Sequence, residues 1–165
     1  MNNPDLIKDV SDFHRKFGIP VRPTGERFSM KVLAFRMEFL MEELDEFNQA
    51  VSATPPNLAE TLDALVDLVY VAIGTADMLN LPFAKAWAAV QEKNMLKVRA
   101  SDPSASKRGS DLDVVKPKGW TPPDIYKLLP PEDQALMKPP MPVLPVVGQQ
   151  IDLEQAIATK ENKSE

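Results

Sequence analysis

Cysteine is absent from the 165-residue chain, and histidine occurs once, as His14. The first absence excludes disulfide bonds and thiolate chemistry, and the second excludes a zinc site made of several histidines from one chain. The chain also lacks an apolar run long enough to cross a bilayer, because the longest, residues 64–76, contains Asp67, Gly74 and Thr75. No secretory leader is recognisable at the N-terminus, so we expect a cytoplasmic protein with no membrane partner.

Positive charge is in deficit, with 19 Lys and Arg residues against 24 Asp and Glu residues and a formal net charge of -5. This balance argues against a nucleic-acid partner, which requires a basic surface. The hydrophobic fraction of 44% and the charged fraction of 26% indicate a soluble globular domain. Because most of the 16 prolines follow Asp102, we predict one folded domain over residues 1–129 and a Pro-rich, irregular tail over residues 130–165.

Hydrophobic periodicity predicts an all-α bundle of four core helices, at about residues 5–17, 29–51, 58–79 and 82–98. The second helix carries a heptad-like apolar stripe from Leu33 to Val51. The third is apolar on nearly every side, so we expect it to be buried centrally or at a subunit interface. Asn57 is its predicted N-cap, with Glu60 in the capping-box position.

The chain beyond the fourth helix is expected to be mostly irregular. Residues 101–118 are polar and loop-like, and a short helix is predicted to begin near Trp120 and end near Leu129. The Pro-rich residues 130–145 are expected to be extended, and a last short helix is predicted at residues 152–159. The tail is therefore not expected to belong to the core.

Acidic residues recur at helical spacing on the second and third predicted helices. Glu43 and Glu46 are three residues apart, which places them on one helical face. On the next helix three carboxylates fall at i, i+3 and i+7, within a narrow arc: Glu60, Asp63 and Asp67. A short turn at residues 54–56 would make the two helices antiparallel, so the two sets can face each other across one groove.

Few basic residues can offset these charges, since Arg36 is the only Lys or Arg between Lys31 and Lys85. Carboxylates in apolar surroundings repel one another and are costly unless compensated, and a divalent cation compensates them well. Oxygen ligands without His or Cys select Mg²⁺ or Mn²⁺. The alternative is structural, with Glu43 and Glu46 on a solvated flank and Glu60 as a simple helix cap.

The fourth predicted helix carries a polar pair in line with its apolar stripe. Phe83, Trp87 and Val90 form the stripe, and Asn94 and Lys97 continue it. An amide and an ammonium beside a metal site suit a phosphate chain. The alternative is a frayed helix end in solvent, where Lys97 interacts favourably with the C-terminal dipole.

These motifs, taken in their order and spacing, resemble the MazG-like, or all-alpha, nucleoside triphosphate pyrophosphohydrolase superfamily. The resemblance is to the phosphoribosyl-ATP pyrophosphohydrolase-like branch in particular, which includes MazG-like dUTP-hydrolysing enzymes. It covers about residues 10–126. The matching segments are Phe13-His14-Arg15, Glu42-Glu43-Leu44-Asp45-Glu46, the Asp63 to Val71 segment, Gly74-Thr75-Ala76, Asn94-Met95-Leu96-Lys97 and the Lys116 to Asp124 segment.

The resemblance implies an all-helical homo-oligomer, a dimer or tetramer, that releases pyrophosphate from a nucleoside triphosphate in a Mg²⁺-dependent reaction. Glu43 and Glu46 match the ExxE motif of the family directly. The second motif, ExxD, has two possible alignments. Glu60 and Asp63 have the literal spacing, whereas the Asp-Leu-Val-Tyr-Val context places the family aspartate at Asp67.

We therefore predict hydrolysis of a nucleoside triphosphate, with a deoxynucleotide favoured, to the monophosphate and pyrophosphate. Mg²⁺ is the expected cofactor and Mn²⁺ a substitute. Glu42 or Glu46 is expected to orient or deprotonate the water. The expected metal ligands are Glu43, Glu46, Glu60, Asp63 and Asp67. Asn94 and Lys97 are expected to hold phosphate oxygens, and Phe13 and His14 to lie near the nucleobase beside a partner subunit.

Two alternatives stay open from the sequence. The first is an enzyme of the same fold that acts on phosphoribosyl-ATP. The second, from a different class, is a non-catalytic helical interaction protein whose acidic face is structural. Magnesium-dependent release of pyrophosphate from a panel of nucleotides separates the enzymes from the interaction protein.

Overall fold

The computed structural model describes residues 4–110 and 112–137 of the chain. Its frame consists of α1 (Leu6–Phe17), α2 (Met30–Ser52), α3 (Leu58–Met78) and α4 (Phe83–Asn94). An antiparallel pair of short strands, β1 (Val98–Arg99) and β2 (Val114–Val115), comes next, and the short helix α5 (Pro131–Leu136) comes last. Two 3-10 turns, Pro103–Ala105 and Tyr126–Leu128, lie between these elements. The predicted all-α fold class is confirmed, and the two strands are a small addition to it.

Side-chain caps explain where the first three helices begin. Asp5 caps α1 by accepting from Lys8 N, and Ser29 caps α2 by accepting from Val32 N. The Asn57 side chain accepts from two backbone N–H groups at the start of α3. Gly18 ends α1 in the left-handed conformation, with φ of 65°, a geometry that glycine adopts without steric cost. These boundaries agree with the predicted ones to within about a residue.

The central element is α3, which packs against α2, α1 and α4. Its C-terminal half supplies four of the nine buried apolar side chains of the described residues: Val71, Ile73, Ala76 and Met78. Its N-terminal half is also apolar, yet Leu58 and Leu62 are 79% and 64% exposed. Central burial is therefore confirmed for the C-terminal half, and burial of the N-terminal half at a subunit interface stays a prediction. In the described part of the chain, no helix is both long and apolar enough to cross a membrane.

Several predicted elements after Pro82 differ from the structure. The fourth helix ends at Asn94 instead of residue 98, because Val98–Arg99 leaves it to pair with Val114–Val115. The predicted apolar stripe of α4 does not face a core within this chain, since α4 has no buried residue and Trp87 is 65% exposed. The helix predicted near residues 120–129 is reduced to the 3-10 turn Tyr126–Leu128.

The extended conformation predicted for residues 130–145 is wrong for Pro131–Leu136, which forms α5. This helix is held to the α1–α2 loop by Asp133, whose two carboxylate oxygens each accept from Arg22 at 2.8 Å. Both side chains are buried. The helix predicted at residues 152–159 lies outside the described residues. The domain boundary predicted after residue 129 stays a prediction, and the Arg22–Asp133 pair argues that α5 belongs to the folded domain.

Candidate metal centre

The α2–α3 hairpin brings the two acidic sets to one groove. Asn57 N donates to Ala50 O at 3.0 Å and closes the turn between the helices. Near this turn Glu46 of α2 and Glu60 of α3 line the same cavity, of about 410 Å³. The antiparallel packing then continues along both helices, away from the turn. The geometry is the one that the short turn predicts.

Glu43 lies at the middle of this groove. Its Oε2 atom is buried and has no hydrogen-bond partner in the described part of the chain. The pKa of Glu43 is raised, first by desolvation and then by the negative charges of Asp67, Glu46, Glu42 and Asp63. Carboxylates from both helices therefore act on one buried oxygen. A buried anionic oxygen without a donor is unfavourable, so the surroundings of Glu43 favour the binding of a cation.

The one basic residue of this region does not supply that cation. Arg36 is buried on α2, but its Nη2 donates to Val71 O at 2.8 Å and its Nε donates to Thr75 Oγ1 at 3.0 Å. Desolvation lowers the pKa of Arg36. No ion pair within residues 4–110 and 112–137 involves any of the acidic residues of the groove. The acidic groove is therefore uncompensated within the described part of the chain.

Most of the candidate ligands are more exposed than the sequence suggests. Glu42, Glu46, Glu60 and Asp63 are exposed, while Glu43 and Asp67 are half-buried. Asp63 is therefore not buried within the single chain, and apolar surroundings for it at a subunit interface stay a prediction.

The donor chemistry fits a hard divalent cation. All candidate ligands are carboxylates, and one oxygen of Glu43 is unpartnered, which suits Mg²⁺ or Mn²⁺. Nevertheless, no group of three or more His, Asp and Glu side chains in the described part of the chain is close enough together to hold a metal ion. Closure of a coordination sphere therefore requires the exposed carboxylates to rotate, which surface side chains do within nanoseconds.

Glu60 is not the second half of a capping box. The Asn57 side chain accepts from Glu60 N at 3.3 Å, but Asn57 N donates to Ala50 O instead of to the Glu60 carboxylate. The Glu60 side chain has no hydrogen bond in the described region. The structural alternative for Glu60 thus loses its main support, and the carboxylate is free to bind elsewhere.

His14 is part of a buried polar contact between α1 and α3. It is 4% exposed, and its Nδ1 lies 2.7 Å from Asp77 Oδ2. Gly74 allows this packing, because a Cβ atom there would lie 3.2 Å from both His14 Nε2 and Arg36 Nη2. Phe13 beside it is 41% exposed and packs edge-on against Tyr70. His14 therefore has a structural environment, and its predicted place near a nucleobase stays a prediction.

Sequence reasoning missed the roles of Arg36, Gly74 and Asp77 in this contact. The available indications were a lone arginine within the apolar second helix and a glycine within the apolar third helix. A glycine inside a helix is costly and often marks close packing. The partners themselves lie far apart in sequence, so spacing alone does not identify them.

Asn94 and Lys97 lie near the C-terminal end of α4. Asn94 is exposed and ends the helix, and Lys97 follows it, half-buried, with Lys97 N donating to Asn94 O at 3.0 Å. The structure does not place them on a core-facing line, as the sequence predicted. Instead, Lys97 lines a cavity with three other basic side chains, which the sequence analysis did not detect.

Comparison with known families gives one match. The family model described as phosphoribosyl-ATP pyrophosphohydrolase matches residues 10–94, which is just over half of the 165-residue chain. The matched segment includes both acidic sets and ends at Asn94, before Lys97 and the two strands. Comparison with curated proteins gave no significant match.

Proposed function

The chain belongs to the phosphoribosyl-ATP pyrophosphohydrolase family, and from this premise we propose that it hydrolyses a nucleoside triphosphate to the monophosphate and pyrophosphate with Mg²⁺. Family membership by itself establishes the coarser activity, that of a nucleotide pyrophosphohydrolase acting on phosphoanhydride bonds. The family lies within the MazG-like all-alpha superfamily and is generally metal-dependent. The non-catalytic interaction protein is thereby set aside.

The observation that carries the proposal is the unpartnered Oε2 atom of Glu43. Four further carboxylates raise the pKa of Glu43, so the groove gathers negative charge without an offsetting cation from residues 4–110 and 112–137. Such an arrangement disfavours the metal-free fold and favours a bound divalent cation. Neither helix propensity nor packing requires these carboxylates to lie together in the groove.

The same electrostatics favour one of the two alignments of the second motif. Asp67 raises the pKa of Glu43 more than Asp63 does. This supports Asp67 as the α3 carboxylate opposite Glu43, with Asp63 beside it and Glu60 nearer the turn. We propose Glu43, Glu46, Asp63 and Asp67 as the metal ligands, with Glu60 as an additional one.

In the proposed reaction, the chain's own groups position water and the phosphates. Bound Mg²⁺ would supply charge neutralisation and Lewis-acid polarisation of the phosphate oxygens. Glu42 or Glu46, both exposed at the groove, accepts a proton from the attacking water. The water oxygen bonds to the α-phosphorus as the bond between the α-phosphorus and the oxygen that bridges to the β-phosphorus breaks. Pyrophosphate leaves with the bridging oxygen and its electron pair, while Asn94 and Lys97 hold phosphate oxygens.

A panel of substrates tests this function. The full chain is incubated with deoxy- and ribonucleoside triphosphates and with phosphoribosyl-ATP, in Mg²⁺ and in EDTA, and pyrophosphate release is measured. We expect Mg²⁺-dependent release, with a deoxynucleoside triphosphate turned over best. Preferential hydrolysis of phosphoribosyl-ATP would replace the substrate by the one in the family name, and no release from any compound would overturn the proposal.

Matched variants connect the activity to the groove. Glu43→Gln should abolish release, whereas Glu92→Gln, which removes an exposed carboxylate of α4 outside the groove, should leave it unchanged. Equal activity in the parent and in Glu43→Gln would remove the groove from the mechanism.

A further inference from the structure

A second cavity, of about 460 Å³, lies at the β1–β2 pair beyond the end of α4. Its volume falls within the roughly 300–1,000 Å³ of small-molecule sites. Four basic side chains line it: Lys97, Lys107, Arg108 and Lys116. Among the described residues, Asp113 is the one acidic residue of the lining. All of these residues lie beyond the segment that matches the family model.

Strand pairing forces two of these lysines together. Val98 pairs with Val115 and Arg99 with Val114, so one further step of the same register puts Lys97 opposite Lys116. The ladder also continues at its other end, where Ala100 N donates to Asp113 O at 2.9 Å. Like charges directly opposite each other on antiparallel strands are destabilising.

Trp120 holds the same two ammonium groups near its indole ring. Lys116 Nζ lies 4.5 Å and Lys97 Nζ 5.8 Å from the ring centroid, both within cation–π range. Trp120 Nε1 donates to Lys93 O at 2.9 Å, which fixes the ring to the last turn of α4. The cation–π interactions with Trp120 thus hold the ammonium groups of Lys97 and Lys116 close to each other beside the cavity.

The carboxylate of Asp113, the acidic residue among the described lining, does not neutralise these lysines. Asp113 accepts from Ser106 Oγ at 2.7 Å, from Arg108 Nη1 at 2.9 Å and from Val114 N at 2.9 Å. The Ser106 hydrogen bond contributes most to lowering the pKa of Asp113. The negative charge of Asp113 is paired with the guanidinium group of Arg108. Within residues 4–110 and 112–137, Lys97, Lys107 and Lys116 have no ion-pair partner.

We propose that this cavity is a binding subsite for a polyphosphate chain, in which Lys107, Arg108 and Lys116 join Lys97 as phosphate ligands. Ammonium and guanidinium groups form strong charge-assisted hydrogen bonds to phosphate oxygens. Trp120 is a positioning residue that keeps Lys97 and Lys116 converged. The identification of the polyphosphate as that of a nucleotide substrate, or as the pyrophosphate released, rests on the proposed function; the anion site itself rests on the cavity.

Binding without metal isolates this site from the acidic groove. In EDTA the carboxylates of α2 and α3 repel phosphate, so inorganic tripolyphosphate titrated into the full chain by calorimetry should report the basic cavity alone. We expect one site per chain and much weaker binding of orthophosphate, which offers fewer oxygens. Equal affinity for the two anions, or no binding of tripolyphosphate, would overturn the proposal.

Paired charge changes locate the site. The double variant Lys107→Gln/Lys116→Gln should weaken tripolyphosphate binding by about tenfold or more, the scale of one or two charged contacts. The double variant Lys31→Gln/Lys85→Gln removes the same charge from exposed positions outside the cavity and should bind as the parent does. An equal loss in both variants would show a general charge effect and would overturn the subsite.

Trp120 has a separate test. Trp120→Leu should weaken binding, whereas Trp120→Phe, which keeps a ring beneath the lysines but loses the hydrogen bond to Lys93 O, should weaken it less. Loss of binding in both would contradict cation positioning. Titration of a single-stranded oligonucleotide tests the alternative ligand, a nucleic acid. If the oligonucleotide binds more tightly than tripolyphosphate and loses affinity in Lys107→Gln/Lys116→Gln, the assignment of a small ligand is overturned.

Kinetics separates this inference from the proposed function. With a nucleotide that the parent hydrolyses, the variant Lys107→Gln/Lys116→Gln should have a lower kcat/KM. Its affinity for tripolyphosphate in EDTA should fall as well. Turnover in the parent with unchanged binding and kinetics in the variant would overturn the subsite and leave the function intact. Metal-free binding that depends on Lys107 and Lys116, with no turnover of any nucleotide, would overturn the function and support the subsite.

Discussion

Arg36 and Glu43 are seven residues apart on α2, so both project from the same helical face toward α3. Arg36 meets the C-terminal half of α3, where a carbonyl and a hydroxyl accept its hydrogen bonds. Glu43 meets the acidic half, where the nearest charges are carboxylates and its Oε2 atom has no donor. One helix face thus presents a satisfied buried cation and an unpartnered carboxylate oxygen, and the second of these belongs to a proposed metal ligand.

Asp67→Asn tests chemistry and stability in opposite directions. The change should abolish pyrophosphate release, because it removes a proposed metal ligand. It should leave the metal-free stability unchanged or raise it, since one repelling charge is lost at constant shape. It should also reduce the stabilisation that Mg²⁺ gives the parent. The measurements are thermal melts in EDTA and in Mg²⁺ beside an activity assay.

The contrary outcome for Asp67→Asn is equally specific. If Asp67 were held by hydrogen bonds in the core, the amide would cost roughly 1–3 kcal/mol with or without magnesium. The structure shows no hydrogen bond to the Asp67 side chain within the described residues, so we expect no such loss. Glu92→Gln serves as the control for removal of a negative charge outside the groove.

Glu43 should make the metal-free protein less stable as pH rises. Its pKa in the fold is raised above the ordinary value of 4.5, so its contribution to stability is complete below that value and is lost as pH increases through the raised pKa. Glu43→Gln cannot ionise. In EDTA, the free energy of unfolding of the parent should therefore fall relative to that of Glu43→Gln as the pH rises above the ordinary value of 4.5. Urea denaturation at a series of pH values measures the difference.

The pH dependence has its own control and its own contradiction. Added Mg²⁺ should reverse the fall in the parent and have little effect on Glu43→Gln. A difference between the two proteins that stays constant with pH, or that changes in the opposite direction, would show that Glu43 does not titrate with a raised pKa in the metal-free fold.

At the scale of the elements, α5 is bound to the α1–α2 loop through Asp133. Pro131 occupies the first turn and Glu132 and Asp133 follow it, a favourable start for a helix. Asp133 binds both Arg22 and Gly25 N, and a Cβ atom at Gly25 would lie 3.0 Å from Glu132 Cβ. Gly25 has φ of 80°, so a side chain there is disfavoured by the backbone as well.

Two truncations test the contact between α5 and the α1–α2 loop. The chain ending at Met137 should melt as the full chain does, whereas the chain ending at Leu129 should be destabilised, because Arg22 loses its buried partner. Asp133→Ala in the full chain isolates the pair and should cost about 3 kcal/mol, as expected when one partner of a buried ion pair is removed. Equal melting temperatures for both truncations would restore the predicted boundary after residue 129.

At the scale of the whole molecule, the described residues of one chain leave many large apolar side chains exposed. Leu62, Val66 and Val69 on α3 are all exposed, as is Trp87 on α4. A largely apolar cavity of about 920 Å³ lies between the start of α1, α3 and α4. Exposed apolar areas of this kind mark protein interfaces. We propose a homo-oligomer, a dimer or a tetramer, with the N-terminal half of α3 at the interface.

Light scattering at micromolar concentration tests the assembly. The parent should have at least twice the mass of one chain, and Leu62→Glu should be smaller, because a charge at an apolar interface is left unpaired. Leu112→Glu changes a residue that is 85% exposed, away from the helices, and should have no effect. A monomeric parent would contradict the proposed assembly.

The sequence by itself determined where the main helices begin and which residue types could carry chemistry. Side chains at Asp5, Ser29 and Asn57 cap the backbone within three residues of themselves, so their effect is local and can be predicted. The spacing of carboxylates on α2 and α3 depends only on helical periodicity. The family match to residues 10–94 likewise depends on the order of motifs along the chain.

The tertiary structure alone decided which of these groups lacks a partner. That Arg36 is satisfied by α3, that one oxygen of Glu43 is buried and unpartnered, and that Asp133 is bound by Arg22 follow from contacts between distant residues. The gathering of Lys97 and Lys116 on Trp120 is decided in the same way, by strand register and not by local propensity. Desolvation and charge–charge repulsion depend on distances in space, and sequence spacing defines those distances only within a single helix or strand.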